Sequence, residues 1–117
     1  MTFADQIEAH EERCQRQVLR LWMLARDEMA LPGQAAAEII KATDAILAEA
    51  EEAGRDAHVP AATLLSARLS RLALAAGEVI ASAGAGDYTQ LRRNVARFES
   101  LNSAIWTVRR DLGPETR

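Results

Sequence analysis

Placed at 100° per residue, the apolar positions of this chain fall into four helical stripes divided by three groups of Pro and Gly. The clearest stripe carries Ala36, Ile39, Ile40, Thr43, Ile46, Leu47 and Ala50 on one side, with Glu38, Lys41, Glu49 and Glu52 on the other. That is the pattern of a helix with one face on a core. Further along, Leu65, Leu69, Leu72, Ala76, Val79, Ile80 and Ala83 align, leaving Leu64 and Leu74 outside. The last stripe groups Tyr88, Leu91, Val95, Phe98, Ile105 and Trp106, and the first groups Phe3, Ile7, Cys14, Val18, Leu21, Trp22, Ala25 and Met29.

The breaks are Leu31-Pro32-Gly33, the stretch from Gly54 to Pro60, and Gly84-Ala85-Gly86. Pro32 and Pro60 suit a first helical turn, where a missing N–H costs nothing, and Gly54 and Gly84 suit the left-handed residue just past a helix end. Asp87 followed by Gln90 resembles a capping box, and Thr2 or Asp5 can cap the first segment. The predicted helices span 3–30, 34–53, 60–83 and 88–112. Amphipathic helices on short links pack as neighbours, so the expected fold is all-α: an antiparallel up-down-up-down four-helix bundle, open to dimerisation. One domain covers 1–112, and the tail at 113–117 is expected to fray.

Two helices carry polar residues inside their apolar stripes. Glu11 falls within the first stripe with His10 at its edge, and Asn102 and Arg109 fall within the last. In an up-down-up-down bundle the start of the first helix lies beside the end of the fourth, so these four side chains are placed to meet. A buried carboxylate needs a partner, which makes Glu11 with Arg109 the natural couple. The group reads as a hydrated bundle end, as a structural ion pair, or as a small ligand pocket.

His10 and Cys14 are four apart on one face with Glu11 beside them, and all are acceptable metal ligands. Di-iron bundles, however, use Glu-x-x-His on paired helices, a motif missing here, and the chain has only 2 His. No metal or other cofactor is expected. Cys14, the only cysteine, reads as a buried structural thiol.

Surplus apolar surface marks the second half of the first helix. Leu19, Met23 and Ala30 lie well away from its core face and need cover, either from a neighbouring helix or from a second chain. At about 28 residues, roughly 42 Å, this helix is the longest predicted and can project past the second. In the third helix Ser66, Ser70, Ala73 and Gly77 form a strip of small residues that admits a close helix backbone or merely fills a corner.

Composition narrows the classes. Hydrophobic residues make up 49% of the 117 residues but aromatics only 4%, so Ala and Leu supply most of the apolar surface, which favours helix. A formal charge of −3 creates no field that draws nucleic acid or an anionic membrane. The charge is uneven, however. Residues 33–58 hold six acids against two bases, and residues 86–117 hold six bases against four acids, so the second and fourth helices read as complementary, either within one chain or between two. Arg92, Arg93 and Arg97 offer phosphate contacts but project in different directions, without aromatics for base stacking.

With one cysteine, no basic-then-apolar leader and no run long enough to cross a bilayer, the expected location is cytoplasmic. Gly-rich phosphate loops, nucleophile elbows and His-Glu-x-x-His are all missing, so no enzyme activity is expected. The function expected is a protein–protein interaction module, most simply a homodimer, with Leu19, Trp22, Met23, Ser66, Ser70 and Gly77 as contacts. The alternatives are a nucleic-acid-associated subunit using the fourth helix, and a ligand or metal held at His10, Glu11, Asn102 and Arg109.

Overall fold

Each predicted break separates two helices. The computed structural model describes residues 3–26, 32–57 and 61–107, which form α1 (Phe3–Arg26), α2 (Pro32–Asp56), α3 (Ala61–Ala85) and α4 (Tyr88–Trp106). No strand occurs among the described residues. Met29, Ala30, His58, Pro60 and Arg109 lie outside them, as do the expected ends at 27–30 and 108–112.

Local chemistry accounts for most boundaries. Pro32 opens α2 as its first residue, where its missing N–H is harmless. The α3–α4 turn is a Schellman motif: Gly86 adopts φ 71°, its N–H bonds the Ala83 carbonyl at 3.1 Å, and the Asp87 N–H bonds the Ser82 carbonyl at 3.2 Å. Gly84 is therefore not the left-handed residue; α3 runs on to Ala85 and the turn falls at Gly86. Gly54 is likewise no terminator. It lies inside α2, where an added Cβ would stand 2.9 Å from Leu69 Cδ1, so its small size serves close packing on α3. Asp87 caps α4 by accepting from the Gln90 N–H at 3.1 Å. Only half of a capping box forms: the Asp87 N–H is taken by the Ser82 carbonyl, and the Gln90 side chain donates to Asn94.

The core is a single cluster fed by all four helices, with Phe98, Ile7, Leu21, Ile39, Ile46, Leu65, Leu72, Leu91 and Ile105 fully buried. Each such side chain contributes roughly 1.5–3 kcal/mol by leaving water, whereas an exposed ion pair contributes about 0–1 kcal/mol. The bundle is thus held chiefly by these apolar layers. Ala42, Ala53, Ala75 and Ser82 are also buried.

Neighbouring helices are α1–α2, α2–α3, α3–α4 and α1–α4, the last being the least closely packed. Helices α2 and α4 are not neighbours within the chain, which corrects the expectation that their opposite charges pair there. The carboxylates of α2 meet α1 instead, in Arg20–Glu38 and Arg13–Glu49, and Arg97 of α4 meets Glu78 of α3. The described part of α1 has 24 residues, against 25 in α2 and in α3, and its expected end lies outside the described residues. Arginines reach backbone carbonyls on neighbouring helices. Arg92 reaches the Ala25 carbonyl at 3.5 Å, and Arg68 donates at 2.5 Å to the Ala104 carbonyl in the last turn of α4. No helix among the described residues is long and apolar enough to cross a membrane.

Candidate functional site

Helix α1 divides two unlike seams, and the sequence-flagged polar residues distribute between them. Toward α2, His10 is buried, with only 4% of its surface exposed. Its Nδ1 lies 2.6 Å from Glu49 Oε2 and 3.1 Å from the Arg13 guanidinium. Arg13 Nε in turn donates to Glu49 Oε1 at 2.5 Å, so one carboxylate binds both groups.

Burial pushes the Glu49 carboxyl up, but hydrogen bonds from His10 and Arg13 and the Arg13 charge outweigh it and hold the group below the ordinary carboxylate range. The same bond raises the Arg13 guanidinium. An ionised carboxylate only accepts, so the proton in the His10–Glu49 contact sits on Nδ1. One turn on, Cys14 is fully buried and its thiol donates to the Ile46 carbonyl at 3.7 Å. Burial pushes that thiol up to about 12, as suits a structural cysteine and not a nucleophile.

The other face of the His10 ring stacks on Trp106 of α4, with centroids 6.5 Å apart and planes 17° from parallel. Trp106 Nε1 donates to Asn102 Oδ1 at 3.2 Å. Asn102, buried as expected, therefore joins His10 through the indole. Glu11 and His10 exchange their expected places: His10 is interior, while Glu11 is half-buried at the rim. The buried line of α1 runs through Ile7, His10, Cys14, Leu21 and Ala25, and Glu49 gives the buried imidazole its partner. Arg109, the expected partner of Glu11, lies outside the described residues. Among the described residues, no buried side-chain nitrogen or oxygen is left without a hydrogen bond.

Toward α4 the seam opens into a groove of about 600 Å³, lined by Glu11, Gln15, Val18 and Leu19 of α1 and by Glu99, Asn102, Ser103, Trp106 and Thr107. Trp22, half-buried above it, donates from Nε1 to Glu99 Oε2 at 2.5 Å. On the outer rim Leu19 is 66% and Met23 73% exposed. Neither is covered by a neighbouring helix of the described chain.

The small strip of α3 also faces outward. Ser66, Ser70 and Gly77 are exposed, and Ser70 bonds back to the Ser66 carbonyl. A shallow trough of about 430 Å³ runs beside Ser66, Ser70 and Ala73 against Leu47, Gly54 and Leu69. Leu74, outside the stripe as expected, is 72% exposed. The arginines of α4 do not converge: Arg92 turns to α1, Arg97 to α3, and Arg93 is exposed between them.

Among the described residues, the one group with metal-ligand spacing is His10, Glu49 and Glu52, whose ligand atoms lie within 4.8 Å of one another. Cys14 and Glu11 do not belong to it. Arg13 already supplies the cation that Glu49 neutralises, and a metal would have to displace it, so the group is read as a structural ion network.

Glu49 and Arg13 are the residues that sequence reasoning missed. The helical pattern groups Glu49 with the solvent face, yet it is half-buried on the flank that carries Ala42 and Ala53. The available signal was His10 itself, since a histidine near an apolar stripe calls for an acidic flank on an adjacent helix.

Compared with models of protein families, with curated protein sequences and with solved structures, the chain matches none.

Proposed function

We propose that this chain is a non-enzymatic protein-interaction module that associates with itself through the outward face of α1, on an antiparallel up-down-up-down bundle. The antiparallel arrangement is supported by the order of partners along each seam. On α1 and α2 the pairs are His10 with Glu49, Cys14 with Ile46 and Arg20 with Glu38; on α1 and α4 they are His10 with Trp106, Trp22 with Glu99 and Ala25 with Arg92. In both series one number rises as the other falls.

The observation that carries self-association is the pair Leu19 and Met23, one turn apart, with 66% and 73% of their surfaces in water while the core beside them is closed. Contiguous apolar surface of this kind marks contact sites, and methionine is enriched in them. Trp22 packs behind them, and the groove between α1 and α4 extends the same surface. Ser66, Ser70 and Gly77 of α3 offer a second surface on another side of the bundle.

The test is solution mass by light scattering behind size exclusion, over a hundredfold range of concentration and at low and high salt. A dimer or larger species that persists at high salt is expected, and Met23→Glu reduces it to monomer with unchanged helicity by circular dichroism. A wild-type chain that stays monomeric throughout overturns the reading.

A further inference from the structure

Charge along the described part of α1 is segregated. Its acids, Asp5, Glu8, Glu11 and Glu12, all precede its bases, Arg13, Arg16, Arg20 and Arg26. The helix dipole accounts for Asp5 in the first turn and Arg26 in the last, but its influence fades within a turn of each end. Arg13 and Arg20 are accounted for by Glu49 and Glu38 of α2. Exposed on the outward face are an acidic pair, Glu8 and Glu12, one turn apart where like charges repel, then Arg16, then Leu19 and Met23, and then Arg26, which faces outward as well as lying in the last described turn.

Between the two halves lies a shallow depression lined by Glu12, Gln15, Arg16 and Leu19. That spacing of i, i+3, i+4 and i+7 is the hole that receives one side chain from a facing helix. A second copy of α1 laid antiparallel about a two-fold axis fills it with its own Leu19. Met23 then rests on the Glu12 stem, and Arg26 comes beside Glu8 and Glu12. Because a two-fold contact is self-complementary, every one of these pairings is made twice.

We propose that the occupant of this face is a second copy of the chain, paired antiparallel through α1, with Leu19 in the depression of the other copy and Arg26 flanked by its Glu8 and Glu12. This rests on the self-association argued above and adds its geometry. A parallel pairing would set Glu8 and Glu12 against themselves and Arg26 against Arg26.

A charge exchange between two full-length variants tests it. Arg26→Glu alone, and Glu8→Arg with Glu12→Arg, each weaken self-association by roughly tenfold or more, since attraction becomes repulsion at both ends of the contact. Mixed in equal amounts the two variants recover a dimer of wild-type affinity, because every reversed charge then meets an opposite one. Light scattering of each variant and of the mixture reads the result, with circular dichroism confirming helicity. If the wild type dimerises but neither variant weakens it, or the mixture recovers nothing, the antiparallel register is overturned while self-association stands. A monomeric wild type overturns both.

Discussion

The two flanks of α1 are built from similar residues and do opposite things. Toward α2, a buried imidazole and a guanidinium close the seam by donating to one carboxylate at 2.6 and 2.5 Å. Toward α4, Glu11, Gln15 and Leu19 meet α4 across a groove of about 600 Å³. The difference lies in whether a side chain finds its partner inside the same chain. His10 finds Glu49 and Trp106, so its flank becomes part of the fold. Leu19 and Met23 find none among the described residues, so theirs is free to become part of an assembly.

The largest expected effect comes from breaking the closed flank. His10→Ala opens a hole beside Trp106 and removes one of the two groups holding the Glu49 carboxylate. Loss of a buried ring together with a charge-assisted hydrogen bond costs about 2–4 kcal/mol. Glu11→Ala, one residue away but at the rim of the groove, costs under about 0.5 kcal/mol. Urea denaturation of the two variants measures the contrast, and equal losses would mean that the flanks do not differ as described.

How the closed flank answers to pH follows from Glu49. Its carboxyl is held below the ordinary range in the folded chain, mainly by His10 and Arg13 against the opposing effect of burial, so the unfolded chain binds that proton more readily. The contribution is therefore complete above the ordinary carboxylate range and declines as pH falls through the range and below it. Glu49→Gln removes that decline and flattens the acid limb of the stability curve. Melting temperature measured from pH 7 down to pH 3 for both proteins checks the sign, and parallel curves would count against the ion network.

The closed flank also shows what was legible in the residues. Helix number and approximate limits follow from the Pro and Gly breaks and the apolar stripes, which are local features. Asn102 and His10 are visible as polar residues at apolar positions. Glu49 is not, because a flank position two steps from the core line looks like a solvated one until the neighbouring helix is known. The same blindness allowed α2 to be paired with α4 within the chain by charge, when Glu38 and Glu49 of α2 meet α1. Gly86 in place of Gly84 is a smaller example: a Gly-Ala-Gly run contains two candidates, and only the bonds from Gly86 and Asp87 back to α3 choose between them.

A modest effect of opposite sign is expected at two glycines and separates fold from association on the far side of the molecule. Glycine within a helix is less favourable than alanine by roughly 0.5–1 kcal/mol, because its backbone loses more freedom on folding. Gly77 lies mid-α3, and an added Cβ meets nothing within 4 Å. Gly77→Ala is thus expected to stabilise the chain by about that amount. At Gly54 the new Cβ would stand 2.9 Å from Leu69 Cδ1, so Leu69 must shift and Gly54→Ala gains less. If the assembly is built on α1, Gly77→Ala raises the urea midpoint and leaves the solution mass unchanged. Were the strip of α3 the contact instead, the same methyl group would obstruct the close approach of a helix and lower the mass while still raising the stability of the monomer.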